Sequence, residues 1–452
     1  MRRRRPMLLL SLAVLLGGCA TAGTLGPEGI SRLERAQQAD PQSASANRAL
    51  GIAYFQANRY PEARQALDRA AAIDPKDGTT ELFLGMTAEA QNDLSAARKA
   101  YSSYVQYGRT ARVRHQLEDR LAALNQKELA LAAKQAVANE ARLSSVPGSP
   151  TTIAVMPLQF SGSDTTLRPL GRGLADLLTT DLARSPQLTV VERERMQALL
   201  TEIQLQQSGA TDQTTGVRAG KMLEAGRLIA GGITQTGNDI RVDAPIVNVS
   251  NAQIVATPSD TRTLDELFTL EKNLAFNIFT SLNITLTTAQ RDAIEQRPTK
   301  SLAAFLAYSR GLTYQDEGRF DDASRLFDQA LRIDPGFSAA ANKAQQNAAA
   351  AQGQQVTTAT VETGLRGTGE GRIVDGAQQG IVVTGTNTGL TSTVLTAAAT
   401  LNPSTAGVAT GGGGTTTTQT PTNNNPAATG TGTDNVANKT ANITIVIHIP
   451  HP

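Results

Sequence analysis

A chain of 452 residues has room for two or three domains. Its one cysteine, Cys19, excludes an internal disulfide and, with only three histidines, a Cys/His zinc cluster. The 42 basic residues include the run Arg2 to Arg5. Without those four, the 40 acidic residues are in slight excess, so the charge balance implies no nucleic-acid partner.

The arginine run, the apolar stretch Met7 to Leu16 and the small pair Gly17-Gly18 predict a signal peptide over 1–18. The apolar stretch is too short to span a bilayer. Leu16-Gly17-Gly18-Cys19 resembles the bacterial lipobox, in which the cysteine thiol is diacylated, the chain is cut before it and the new amine is acylated. Cys19 is therefore the expected lipidation site. Acyl chains hold a protein to a membrane at about 0.8 kcal/mol per buried methylene, and two or more suffice for stable attachment. Ala20 in place of Asp after the cysteine implies, by the usual sorting rule, the periplasmic face of the outer membrane. The absence of any later cysteine fits the periplasm.

The segments 50–75 and 310–335 align without a gap. Gly51, Tyr54, Tyr60, Ala63, Leu67, Ala70, Asp74 and Pro75 meet Gly311, Tyr314, Phe320, Ala323, Phe327, Ala330, Asp334 and Pro335. This resembles the tetratricopeptide pattern, in which small residues admit close helix approach, aromatics fill the gap and Asp-Pro ends the second helix. A degraded copy follows the first, with the Tyr104 ring where a small residue is expected. Two repeats in front and one behind are too few to stand alone, so further helices must cover them. The stretch 113–143, carrying Leu117, Leu121, Leu124, Leu129 and Leu131, predicts a long helix suited to this. A helical repeat region over 19–143 and a second over 286–345 are expected. Tyr54, Tyr60, Tyr314 and Phe320 are candidate partner-binding aromatics, with packing between the paired helices as their other role.

After the breaker at 144–150 the pattern alternates between strands and helices. A buried strand is expected over 152–160 and another over 187–192. Helices are expected over 167–184, over about 192–207 with Met196, Leu199, Leu200 and Ile203 inward, and near 215–225. Turns at 236–239 and 250–251 separate further strands, and Pro245 marks an edge or bulge. Leu267, Leu270, Leu274, Ile278 and Leu282 close the unit as a helix. The fold class is thus an α/β domain with a mixed sheet, over 151–285, flanked by all-α helical repeats. From 346 to 452 the composition turns to Thr, Gly, Ala and Asn, which predicts a disordered tail; its end, 442–450, alternates isoleucines as a strand does.

No catalytic set is legible. His115 lies in a helical stretch and His448 and His451 near the C-terminus, and no phosphate-binding or dinucleotide loop is present. The chain reads as a non-enzyme with no cofactor or metal site. Gly171 and Gly173 are expected to serve close packing, and the charges of 191–196 a solvated helix start.

The motifs IAVMPLQF, GRGLADLLTTDL, LTVVERERMQALLTEIQLQQSG and LEAGRLIAGGITQ, in this order, resemble the domain of the curli production assembly/transport (CsgG-like) outer-membrane lipoproteins. That resemblance implies a secretion or envelope role, and some members form a pore. A pore hairpin needs strands of about 9 to 11 residues. Here TQTGNDIRV offers only a tight turn and QQSGATDQTTGVRAG lacks alternation. The expected function is an accessory or assembly lipoprotein of a curli-like secretion or surface-structure system, with protein partners and possible homo-oligomers. The alternative is a periplasmic adaptor or activator of peptidoglycan synthesis.

Overall fold

The computed structural model describes residues 27–206, 213–384 and 394–395. Cys19 and the isoleucine-rich end lie outside them. Helix α1 (Pro27–Ala39) leads into two hairpins, α2 (Ala44–Gln56) with α3 (Tyr60–Ile73) and α4 (Gly78–Ala90) with α5 (Leu94–Tyr107). The long α6 (Ala111–Ala138) and the single turn α7 (Glu140–Leu143) follow. Ser43 and Asp93 cap α2 and α5 by accepting hydrogen bonds from the N–H groups of Ala46 and Ala96. The repeat glycines do what the pattern asks. A β-carbon on Gly51 would stand 2.5 Å from Leu67 Cγ, and one on Gly311 2.7 Å from the Phe327 ring.

The α/β unit comprises β1 (Ser149–Val155), β2 (Gln159–Ser161), α8 (Leu170–Leu182), β3 (Thr189–Val190), α9 (Arg193–Gln206) and α10 (Gln213–Met222). Next come β4 (Ala225–Ile229), β5 (Gly232–Thr236), β6 (Asp239–Asp243), β7 (Ile246–Asn248), β8 (Gln253–Ala256), β9 (Ser259–Thr263), α11 (Leu267–Ser281) and α12 (Thr288–Glu295). The strands pair as β3-β1-β4-β7-β8 and as β2-β5-β6-β9. β1 runs parallel to β3 and β4, and β2 to β5; the remaining pairs are antiparallel.

The two sheets adjoin at a bend, where the chain passes from β1 to β2, from β4 to β5, from β6 to β7 and from β8 to β9. The bend passes Pro157, Gly231, Pro245 and Pro258, and backbone bonds cross it from Gln159 N to Gly231 O (2.9 Å), Ala230 N to Pro245 O (3.2 Å) and Ala244 N to Pro258 O (2.9 Å). The single strand expected over 152–160 is therefore broken at residues 156–158, because Pro157 offers no N–H to a ladder. The strand expected over 187–192 shrinks to β3. Pro245, expected at an edge or a bulge, lies between β6 and β7, next to the register shift at Ile246 and Val247. Ile153, Val155, Ile229 and Ile246 face α8 and α11, and Ala154, Met156, Leu228 and Val247 face α9 and α10. Met196, Leu199, Leu200 and Ile203 are buried as their spacing requires.

Beyond α12 lie α13 (Leu302–Asp316), α14 (Phe320–Ile333), α15 (Ser338–Gln355), α16 (Thr358–Leu365), α17 (Gly369–Gln378) and β10 (Val382–Val383), which pairs with β11 (Val394–Leu395). The disordered tail expected from 346 is corrected for residues 346–384, which are mostly helical and packed; apart from 394–395, the rest lies outside the described residues. α15 fits between α14 and α6. Arg120 Nη1 donates to Gly353 O at 2.9 Å, and Phe320 packs with Ala122, Ala350 and Ala351. The repeats before and after the α/β unit thus join through α6 and α15 into one helical array, which supplies the missing cover.

Candidate interaction groove

The four candidate aromatics are packing residues. Tyr54 is buried and donates to Glu34 Oε1 at 2.7 Å; burial, before that bond and the Glu34 charge, pushes its hydroxyl up to about 12. Tyr60, half-buried, stands 5.8 Å from the Phe55 ring and donates to Asn58 Oδ1. Tyr314 is half-buried and Phe320 is buried at the α14–α15 contact. Arg59 lies over Tyr54 at 4.4 Å and Arg319 over Tyr314 at 4.1 Å, so the two repeats share one cation–π device. His115 is exposed beside Glu118.

On the N-terminal repeats the groove is already filled. α2, α4 and α6 are the first helices of successive pairs. The chain's own segment 357–384 crosses the array from α6 to α2. Val361, Leu365, Ile373, Val374, Ala377 and Val382 complete its apolar core.

At the centre of this contact Glu370, 3% exposed, meets four donors. Its Oε2 accepts from Tyr104 OH (2.8 Å), Thr110 Oγ1 (2.5 Å) and Thr110 N (3.2 Å), and its Oε1 from Arg109 N (3.1 Å). Such charge-assisted bonds are stronger than neutral ones. Burial first, then the Glu370 charge, raises the Tyr104 hydroxyl well above its usual value. Farther along, Arg48 donates to Asp77 Oδ2 (2.7 Å) and to Val383 O (2.8 Å). The out-of-pattern Tyr104 ring therefore has a structural use. It was the one signal of this site in the sequence.

A second polar cluster ties the α/β unit to the last repeat. Arg193, 5% exposed, pairs with Asp316 (2.7 Å), Asp176 (3.2 Å) and Glu194 (3.4 Å). Tyr308 donates to Asp176, Arg172 pairs with Asp316, and Glu194 pairs with Lys343. The start of α9 was expected to be solvated; Arg193 and Glu194 instead lie under α13 and α15. Burial favours neutral Glu194, yet Lys343 and then Arg193 hold its carboxyl well below the usual range. Gly171 packs against the Leu158 carbonyl at the sheet bend, as expected, and Gly173 against Ser309 of α13.

The architecture defines a protein of contacts, an α/β domain held in a helical-repeat scaffold. Residues 126–244 match the family described as curli production assembly/transport component CsgG, and residues 27–78 and 304–337 match tetratricopeptide repeats. The chain carries a CsgG domain flanked by tetratricopeptide repeats. No curated protein matches it. The CsgG match begins inside α6 and ends just after β6, while the folded unit continues through α11.

Proposed function

We propose that this protein is an outer-membrane-anchored periplasmic lipoprotein, held by acyl chains on Cys19, that acts without catalysis as an accessory or assembly component of a curli-like secretion or surface-structure system. The observation that carries this reading is the CsgG domain whose α8 and α9 are fastened to tetratricopeptide helices. A scaffold of this kind presents partners to an assembly. An accessory role suits it better than a pore. β5 and β6 have five residues each, and six residues separate α9 from α10, against the 9 to 11 per strand that a membrane hairpin needs.

The test is purification of the detergent-extracted, acylated protein from its own outer membrane, with mass spectrometry of what accompanies it. Secretion components or fibre subunits support the reading. A peptidoglycan synthase in their place turns it toward the cell-wall adaptor. Cys19→Ser should release the protein from the membrane fraction, and retention there would remove the anchor.

A further inference from the structure

We propose that the groove of the N-terminal repeats is a docking site for an acidic amphipathic helix of a partner protein, and that segment 357–384 occupies it in cis as a displaceable stand-in. This inference rests on the groove alone and holds whether or not the secretion reading does.

The occupant shows what the groove recognises. Glu370 supplies a carboxylate to Tyr104, Thr110 and the Arg109 N–H. Ile373, Val374 and Ala377, at three, four and seven residues further on, supply one apolar face. A partner helix with glutamate followed by apolar residues at those spacings presents the same chemistry. Small residues must also recur where the walls come close. A β-carbon on Gly364 would stand 2.9 Å from Val113, and one on Gly380 3.0 Å from the Gly29 backbone.

The occupant is also poorly suited to hold its place. α16 has eight residues and α17 ten, short of the length at which helices persist by themselves. Gly364, Gly369, Gly371 and Gly376 lie within them and lower helix propensity further. The segment must be ordered each time it docks, and a partner helix built of better helix formers avoids that cost. Beside Glu370 the groove opens into a cleft lined by Arg48, Lys76 and Arg109 together with Asp74 and Asp77, which gives a competitor an entry.

The experiment uses the full chain, as wild type and as Glu370→Lys, which sets a cation against the donors. The probe is a labelled synthetic peptide of residues 357–384. Hydrogen exchange should show 358–378 opened in Glu370→Lys while α2 to α5 keep their protection. The peptide should then bind this variant at least tenfold more tightly than wild type, and a Glu370→Gln peptide should bind it at least tenfold more weakly than the native peptide. Equal binding to both proteins, or indifference to the peptide's glutamate, overturns the proposal. So does a Glu370→Lys chain whose segment stays protected. If Glu370→Lys does not fold, the milder Glu370→Gln chain is read in the same way, and joint loss of protection in the segment and α2 to α5 makes the segment a fixed part of the core.

Discussion

Arg193 Nη1 lies 2.7 Å from Asp316 Oδ1, with both side chains 5% exposed, and this pair joins α9 of the CsgG domain to α13 of the last repeat. Burial pushes the Asp316 carboxyl above its usual value even with Arg193 and Arg172 beside it. The arginine itself is raised: burial works against its charge, but Asp316, Glu194 and Asp176 together outweigh that. The cluster is therefore expensive to assemble and more expensive to leave half made. Arg193→Ala should destabilise the protein by about 3–5 kcal/mol, because Asp316 and Asp176 lose their shared cation. The double change Arg193→Met with Asp316→Leu should cost clearly less than Arg193→Ala. Chemical denaturation of the three variants decides it, and a double variant as unstable as Arg193→Ala would refute the account.

Gly51 and Leu67 form a contact that a single methyl group would break. Gly51→Ala places a carbon 2.5 Å from Leu67 Cγ and should cost about 1–3 kcal/mol by overpacking. Leu67→Ala leaves a cavity and should cost about 2–5 kcal/mol. Together they should cost less than their sum by roughly 1 kcal/mol, since each makes room for the other. Thermal melts of the four proteins in this cycle check the coupling, and strict additivity would mean that the helices meet elsewhere.

The same contact explains how much of the fold could be read in advance. Gly51 with Leu67 and Gly311 with Phe327 are large and small residues at fixed spacing, so the repeats are legible. α8, α9 and α11 are legible because Leu, Ile and Met recur at helical intervals. α15 buries Ala340, Ala344, Ala350, Ala351 and Gly353, and a face of alanines has no contrast with the Gln and Asn around it. The sheet bend was hidden because residues on both sides of Pro157 are equally apolar. Arg193 with Asp316, and Tyr104 with Glu370, are pairings across more than a hundred residues, which no local pattern records.

Gly353 marks the crossing of α15 over α6, where a β-carbon would collide with the Asp119 carbonyl. Backbone cannot yield as a side chain can, so Gly353→Ala must part the helices and weaken the bond from Arg120 to Gly353 O. The expected cost is about 1–3 kcal/mol. Its signature is faster hydrogen exchange in α15 with α2 to α5 unchanged. Unaltered exchange in α15 would show that the helices adjust without separating.

Glu271 makes stability depend on pH. It is fully buried beside Lys272 on α11 and near Asp181 of α8; Lys272 Nζ stands 3.0 Å from Glu271 Oε2 and 2.6 Å from Asp181 Oδ2. Burial, and after it the Asp181 charge, pushes Glu271 up to about 8 despite the lysine. In the unfolded chain a glutamate loses its proton near about 4.3. Between those values the folded protein binds more protons than the unfolded one, so the free energy of unfolding, and with it stability, falls as pH rises. The contribution is complete below the unfolded value and gone once pH passes about 8. Burial raises Asp181 as well, which acts in the same direction. Glu271→Gln carries no proton to lose and leaves Lys272 paired with Asp181. Relative to wild type it should gain at least about 1.4 kcal/mol, the equivalent of one pKa unit, between pH 4 and pH 8. Urea denaturation of both proteins across that range measures the difference, and parallel pH profiles would mean that Glu271 is ionised in the fold.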